Sequence, residues 1–146
     1  MKIVIATDHN GVEEKKEIIK TLEKEYEVID KSPENTPTDD YPTFAFSVAE
    51  YVKENDNTLG ILLCGTGIGM SIAANKVEGI RCAHVSNIDE ARLAKEHNNA
   101  NIIALSYKSD INDIIEYINT FIKTPFAEDE RHIRRNNMIS EYEKRK

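Results

Sequence analysis

Five short runs of apolar residues, rich in β-branched side chains, alternate along this chain with segments that have helical spacing. The runs have the length of buried parallel strands and lack the strict alternation of strands with one face in water. They lie at residues 3–6, 26–29, 60–63, 80–85 and 101–105, and the helical segments at 12–25, 44–55, 70–76, 88–97 and 111–123. Repeated strand and helix units predict an α/β fold in which helices cover both faces of one five-stranded parallel sheet.

The length of 146 residues suits one domain with its own core and is too short for two ordinary domains. We therefore expect a single domain over residues 1–146. Residues 31–42 are rich in Pro, Asn, Thr and Asp, which predicts a loop. Residues 127–146 are predicted to form a C-terminal helical extension, with a charged helix over 128–146.

Charge is divided unevenly along the chain. Residues 131–146 carry six basic and two acidic side chains, a net charge of +4, which leaves −11 on the first 130 residues and −7 overall. This acidic balance opposes generic binding to nucleic acid or to an anionic membrane, because both are negatively charged.

The apolar stretches predict neither a membrane span nor a signal peptide. The run at the start stops at Ala6, and the least polar stretch, 59–74, is short and rich in Gly. The two cysteines, Cys64 and Cys82, lack CxxC spacing, so we expect neither a disulfide framework nor a zinc knuckle. A cytoplasmic location is expected.

Chemically active side chains follow several predicted elements. Asp8 and His9 follow the first strand, Cys64 opens the glycine loop CGTGIG after the third, and His97 and Asn98 end the fourth helix. Ligands of open parallel sheets bind beyond the carboxyl ends of the strands. We therefore expect the acid, the imidazoles, the thiol and the glycine loop to converge on one edge of the sheet.

Structural explanations compete at the strand ends. Asp8 is equally well explained as a helix N-cap, with His9 as a surface imidazole. Cys64 is open to interpretation as a buried cysteine that packs like a small hydrophobe. Its position before a glycine loop and a helix, whose positive end stabilises an anion, favours a reactive thiolate.

Competing explanations also apply to the helical residues. His97 suits a helix C-terminal cap, where the helix dipole favours the imidazolium form of a proton donor. Arg131 and Arg135 are four residues apart on one helix face, which suits either a solvated basic surface or bidentate phosphate binding. The four histidines show no H-x-x-x-H spacing, so we expect no metal site.

The glycine loop matches no nucleotide-binding or phosphatase motif. Reading from Gly65 or Gly67, the third glycine of a dinucleotide fingerprint is replaced by Met70 or Ile72. A P-loop would continue with Lys, and a cysteine phosphatase loop would have Arg at position 70. The remaining interpretation is a loop of backbone N–H groups that holds an oxyanion, with a thiol at its entrance. These parts suit proton transfer beside the carbonyl of a phosphorylated sugar.

Six blocks of the sequence carry a family resemblance. They are TDHNG (7–11), DYP (40–42), CGTGIGMSIAANK (64–76), GIR (79–81), ARLAKEHNNAN (91–101) and RHIRR (131–135). In this order and spacing they resemble the ribose-5-phosphate isomerase B family, which includes the galactose-6-phosphate isomerase subunits. The resemblance implies a Rossmann-like three-layer α/β/α sandwich with a C-terminal helix. It also implies interconversion of D-ribose 5-phosphate and D-ribulose 5-phosphate, a reaction of the pentose phosphate pathway, without a metal or organic cofactor.

The resemblance further implies roles for individual residues and a homodimer with shared active sites. Cys64 would shuttle a proton between C2 and C1, assisted by Thr66, while His97 and Asp8 open the furanose ring. The implied substrate-binding residues are His9, Tyr41, Gly65, Gly67, Ile68, Gly69, Asn98, Lys108, Arg131 and Arg135. His97, Asn98 and the arginines would arrive partly from the neighbouring subunit, and pairing of dimers into a tetramer is left open.

Three departures from the family pattern concern substrate size and affinity. Residues 106–108 (SYK) replace Gly-x-Arg, so a point charge replaces one bidentate phosphate contact. Residues 86–89 replace a turn like Asp-Pro-Tyr, and Val12 stands where Phe is common. Some relatives use a Glu base, but residues 70–72 (MSI) follow the loop here, which leaves Cys64 as the candidate base.

Two alternatives remain open from the sequence. One is a hexose 6-phosphate isomerase acting on allose or galactose 6-phosphate, which would need a longer pocket. The other is a non-catalytic phosphosugar-binding module on the same fold.

Overall fold

The computed structural model describes residues 1–145 and contains the predicted alternation of strands and helices. The strands are β1 (Lys2–Thr7), β2 (Glu27–Asp30), β3 (Thr58–Cys64), β4 (Cys82–His84) and β5 (Ile102–Ser106). The helices are α1 (Val12–Leu22), α2 (Tyr41–Glu54), α3 (Ile68–Ala74), α4 (Ile88–Glu96), α5 (Ile111–Lys123) and α6 (Glu130–Glu143). All strand pairs are parallel, in the order β2-β1-β3-β5-β4. The predicted three-layer α/β fold is confirmed.

The central strand β3 shows how the two faces of the sheet are covered. Ile61 and Leu63 pack in the apolar layer with α1, α4 and α5, whereas Leu62 and Cys64 pack in the layer with α2 and α3. All seven residues of β3 are buried. Burial on both faces explains why the run has no apolar and polar alternation.

Several predicted boundaries were wrong near prolines and glycines. α2 begins at Tyr41 and not at residue 44, because Pro42 occupies the first helical turn, where its missing N–H has no helical partner. α3 begins at Ile68, directly after Gly67, and not at residue 70. β4 covers only Cys82–His84, because this edge strand pairs with β5 alone and over three residues.

The C-terminal extension also differs from its prediction. Residues 127–129 are not helical, and α6 extends over Glu130–Glu143. Ala127 N instead donates to Glu96 O (2.9 Å), which fastens the segment before α6 to the end of α4. Lys146, the last residue of the predicted extension, lies outside the described residues.

The polarity of the sheet defines two opposite edges. Thr7, Cys64 and Ser106 end three adjacent strands and mark the carboxyl edge, with Cys64 in register with Ser106. α4 follows β4 and runs back across the sheet, so its C-terminal end lies at the amino edge, just before Ile102 starts β5. At roughly 3.3 Å of rise per residue, the five residues of β5 separate the two edges by about 13 Å.

Candidate active site

Cys64 lies at the carboxyl end of the central strand, where the glycine loop folds around its sulfur. The side chain is buried, with 6% of its surface exposed. Gly67 N donates a hydrogen bond to Cys64 Sγ (3.1 Å). The glycine loop therefore places a backbone donor directly against the sulfur of Cys64.

Gly67 has a conformation that only glycine adopts easily. Its φ is +83°, and a Cβ there would lie 3.0 Å from Leu105 N and 3.1 Å from Ala104 C. A side chain would therefore push the loop off the backbone of β5. The glycine keeps the Gly67 N–H against Cys64.

The outer part of the loop carries polar and apolar groups at the carboxyl edge of the sheet. Thr66 is exposed, and its Oγ1 accepts from Ile68 N (3.1 Å). The Thr66 carbonyl accepts from His84 Nε2 (2.8 Å). Tyr41 lies on the loop, since a Cβ at Gly69 would be 2.5 Å from the Tyr41 Cζ and hydroxyl. The structure thus places the predicted residues Thr66, Ile68, Gly69 and Tyr41 around Cys64.

Asp8 and His9 follow β1 on the same edge. Asp8 Oδ1 accepts from Asn10 N (3.0 Å) and caps the short 3-10 turn His9–Gly11, as the structural explanation predicted. This bond occupies Oδ1 of Asp8, and the role of Asp8 in opening the furanose ring stays a prediction. His9 is half-buried, and its Nδ1 lies 2.9 Å from Asp39 Oδ1.

The end of β5 lies beside the glycine loop at the carboxyl edge. Ser106 Oγ donates to Gly65 O (2.7 Å) and accepts from Lys108 N (3.1 Å), which fixes the turn that carries the exposed Lys108. Tyr107 N donates to Cys64 O (3.2 Å). The Tyr107 ring spans from Gly11 to Gly65, since Cβ atoms there would lie 3.0 Å from its Cδ2 and 3.6 Å from its hydroxyl.

The surroundings of Tyr107 and Cys82 shift the pKa values of both groups. Burial and the nearby charge of Asp8 raise the pKa of Tyr107, which keeps its phenol protonated as a donor at neutral pH. Burial raises the pKa of Cys82 to about 12, so this second thiol stays protonated on β4.

His97 and Asn98 lie at the amino edge. His97 caps the end of α4, with its N–H donating to Leu93 O. The His97 carbonyl accepts from Asn136 Nδ2 (3.0 Å), and Asn98 Nδ2 donates to Asn136 Oδ1 (3.2 Å). These bonds attach α6 to the end of α4.

The arginines of α6 stand beside this attachment. His132 stacks on His97 with ring centroids 4.3 Å apart and is 7% exposed. Burial and the neighbouring positive groups lower the pKa of His132, so the buried ring is neutral. Arg131 and Arg135 directly precede His132 and Asn136, the two buried residues of α6, and are themselves exposed.

The prediction that all these groups meet at one edge is wrong within a single chain. Cys64, the glycine loop, Asp8 and His9 lie at the carboxyl edge, whereas His97, Asn98 and the α6 arginines lie at the amino edge. The error came from the direction of α4, because a helix that follows a parallel strand returns to the opposite edge. One chain therefore carries two separate sets of candidate residues.

Residues 1–145 show neither a metal cluster nor a membrane-spanning helix. This part of the chain has no group of three or more His, Cys, Asp or Glu side chains arranged to hold a metal ion. None of the helices within it is long and apolar enough to cross a membrane.

Comparison with known proteins decides the family. Residues 3–139 match the Ribose/Galactose Isomerase family. The chain belongs to this family. The family predicted from the six sequence blocks is thereby confirmed.

Individual relatives of the Ribose/Galactose Isomerase family resemble the chain over nearly its full length. A probable ribose-5-phosphate isomerase B from Mycoplasma pneumoniae is 43% identical over 147 residues, covering 99% of this chain and 96% of that protein. The crystal structure of ribose-5-phosphate isomerase B from Mycoplasma genitalium with bound ribulose-5-phosphate has a TM-score of 0.94 and 44% identity, covering 99% and 97% of the two chains. The enzyme from Clostridium thermocellum has a TM-score of 0.92 and 45% identity, covering 99% of both chains.

Sequence reasoning missed four residues that the structure places beside the candidate sites of this family member. They are Asp39, Tyr107, His132 and Asn136. Tyr107 follows β5 directly, so the rule that located Cys64 also points to it. Asp39 is remote from His9 along the chain, and no local pattern predicts their contact.

Proposed function

We propose that this protein interconverts D-ribose 5-phosphate and D-ribulose 5-phosphate, with Cys64 as the base. The observation that carries the proposal is the hydrogen bond from Gly67 N to the Cys64 sulfur (3.1 Å) at the carboxyl end of β3. Membership of the Ribose/Galactose Isomerase family supports it, as does the ribulose-5-phosphate bound to the relative from Mycoplasma genitalium.

The first step opens the furanose ring. Asp8 takes the proton of the C1 hydroxyl while His97 donates a proton to the ring oxygen, so that the bond between C1 and the ring oxygen breaks and an aldehyde forms at C1. The His97 side chain is partly exposed at the end of α4, where a sugar ring oxygen can reach it.

The second step moves one proton between neighbouring carbons. The Cys64 thiolate removes the proton from C2, and its electron pair forms the double bond of an enediolate. Cys64 returns its proton to C1. The proton of the C2 hydroxyl passes through the Thr66 hydroxyl to the C1 oxygen, so that C2 becomes the ketone and C1 carries a hydroxyl group. Those backbone N–H groups of residues 65–69 that are not bonded to Cys64 or Thr66 stabilise the enediolate charge.

Binding of the substrate involves both sets of residues. His9, Lys108, Arg131 and Arg135 bind the phosphate, where guanidinium groups supply paired hydrogen bonds. Tyr41 lines the sugar and Asn98 binds its oxygens. Because the arginines, His97 and Asn98 lie at the amino edge, they reach the thiol of a second copy of the chain.

A homodimer with shared active sites accounts for this division. Its formation is supported by apolar side chains that a single chain leaves exposed, including Ile72 on α3 (59% exposed) and Met138 and Tyr142 on α6 (65% and 68%). Pairing of two copies would cover such residues and place one copy's α6 against the other's glycine loop. We also propose a cytoplasmic location and a step in the pentose phosphate pathway, and the free thiols of Cys64 and Cys82 support a reducing compartment.

The test is an isomerase assay with ribose 5-phosphate, allose 6-phosphate and galactose 6-phosphate in deuterated water. We expect the highest kcat/KM with ribose 5-phosphate and solvent deuterium on carbon in the product, because the shuttled proton exchanges at the thiol. A tenfold or greater preference for a hexose phosphate would contradict ribose 5-phosphate as the substrate. Binding of sugar phosphate without turnover would contradict the proposal that the protein is an enzyme.

A further inference from the structure

The loop between β2 and α2 is organised around one carboxylate that no part of the proposed reaction uses. Asp39 Oδ2 accepts from Asn35 Nδ2 (2.9 Å) and from Thr36 N (3.2 Å). Asp39 Oδ1 accepts from His9 Nδ1 (2.9 Å) and from His9 N (3.3 Å). Four donors therefore converge on a side chain with only 10% of its surface exposed.

These donors keep Asp39 ionised. Burial by itself would raise the pKa of Asp39, but the hydrogen bonds from Asn35, His9 and Thr36 outweigh it and hold the pKa below its usual value. A carboxylate at neutral pH is only an acceptor. The proton between Asp39 and His9 therefore sits on His9 Nδ1.

The same loop is fastened to the end of β1. Asn35 Nδ2 also donates to Thr7 O (3.0 Å), one residue before Asp8. The loop thus bonds to the end of β1 on both sides of Asp8, at the Thr7 carbonyl and at the His9 ring. These two attachments fix the position of His9 at the carboxyl edge.

We propose that Asp39 is a positioning residue that fixes the ring of His9 through Nδ1–H and presents Nε2 to the phosphate of the substrate. The inference rests on the proposed function for the identity of that phosphate. With Nδ1 held by Asp39, Nε2 is the ring nitrogen left for a phosphate oxygen. Loss of Asp39 releases the ring to rotate and to exchange its two tautomers.

The first test is spectroscopic and needs no turnover. Long-range ¹H–¹⁵N correlation spectra of the full-length protein report which nitrogen of His9 carries the proton. We expect a protonated Nδ1 with a downfield, slowly exchanging proton, and loss of that signal in Asp39→Asn. Glu34→Gln, which removes an exposed carboxylate from the same loop, is the matched control and should retain it. A wild-type signal that survives Asp39→Asn would overturn the proposal.

The second test is kinetic. Asp39→Asn should raise KM for ribose 5-phosphate about tenfold with little change in kcat, as expected for one hydrogen bond to a charged group. Asn35→Ala loosens the loop but leaves the contact between Asp39 and His9, so its effect should be smaller. An equal effect in Asn35→Ala would assign the change to the loop and contradict the proposal.

A double-mutant cycle separates action through His9 from independent action. In a His9→Ala background, Asp39→Asn should cause no further rise in KM. A full additional rise would contradict the proposal. If the wild-type enzyme does not isomerise ribose 5-phosphate, the proposed function fails, while the spectra and the affinity for inorganic phosphate still decide the role of Asp39.

Discussion

The two edges of the sheet carry candidate residues of opposite character. At the carboxyl edge, the thiol of Cys64 is buried and accepts a hydrogen bond from the backbone N–H of Gly67 in the glycine loop. At the amino edge, Arg131 and Arg135 are exposed on α6, which is attached to the end of α4 through a few side-chain hydrogen bonds. The first set suits chemistry, because its geometry is rigid, and the second suits recognition of a charged ligand.

The separation of the two sets is the reason for the proposal that two copies of the chain complete one site. About 13 Å of strand lies between Ser106 and Ile102, so side chains at one edge do not reach the other. One chain would supply the thiol that moves the proton between C2 and C1, and the other would supply His97 for ring opening and the two arginines that bind the phosphate. Variants at the two edges should therefore damage different kinetic constants.

The largest effect is expected at the carboxyl edge. Cys64→Ala removes the base and should lower kcat about a thousandfold or more, since general base catalysis contributes about that much. Affinity for the sugar phosphate should change little. Cys82→Ala is the matched control, because this thiol lies on β4 and its pKa of about 12 keeps it protonated, and its kcat should stay near the wild-type value. Deuterium exchange and turnover that survive Cys64→Ala would rule out the thiol as base.

A smaller effect is expected at the amino edge. Arg135→Ala removes a charged phosphate contact and should raise KM about tenfold or more, with a lesser change in kcat. Arg134→Ala is the control for the loss of one positive charge from α6, because Arg134 is exposed and is not among the proposed phosphate ligands. Steady-state kinetics of both variants with ribose 5-phosphate give the KM and kcat values to compare. An unchanged KM in Arg135→Ala would contradict the assignment of phosphate binding to the amino edge.

The smallest effect concerns substrate size. Tyr107→Ala opens the space between Gly11 and Gly65 that the ring now spans. We expect a severalfold gain in kcat/KM for allose 6-phosphate relative to ribose 5-phosphate, about the effect of relieving one steric contact. Tyr107→Phe keeps the ring and should keep the wild-type ratio. An unchanged ratio in Tyr107→Ala would mean that this ring does not limit the pocket.

The strand and helix layers were predictable because each apolar run is local. The runs around Ile61 and Ile103 lack alternation, and buried parallel strands explain that directly. Boundaries were harder. Pro42 was interpreted as part of a loop, although its position in a first helical turn is equally compatible with proline.

The candidate site was predictable only as far as its residues follow strands. Cys64, Asp8 and His9 do so, and they lie together. The place of His97 depends on the direction of a helix, and the contact of Asp39 with His9 depends on how a loop folds over a strand end. Hydrophobic periodicity in the sequence indicates neither the place of His97 nor the contact of Asp39 with His9, so neither was predicted correctly.

The most direct test of the division between chains is a subunit-mixing experiment. One variant carries Cys64→Ala, and the other carries His97→Ala with Arg135→Ala. Each should be nearly inactive alone. If two copies complete one site, an equal mixture refolded together should recover about a quarter of wild-type activity, since half of the dimers are mixed and each has one intact site. A mixture as inactive as its parents would show that each chain builds its site alone and would contradict the shared active site.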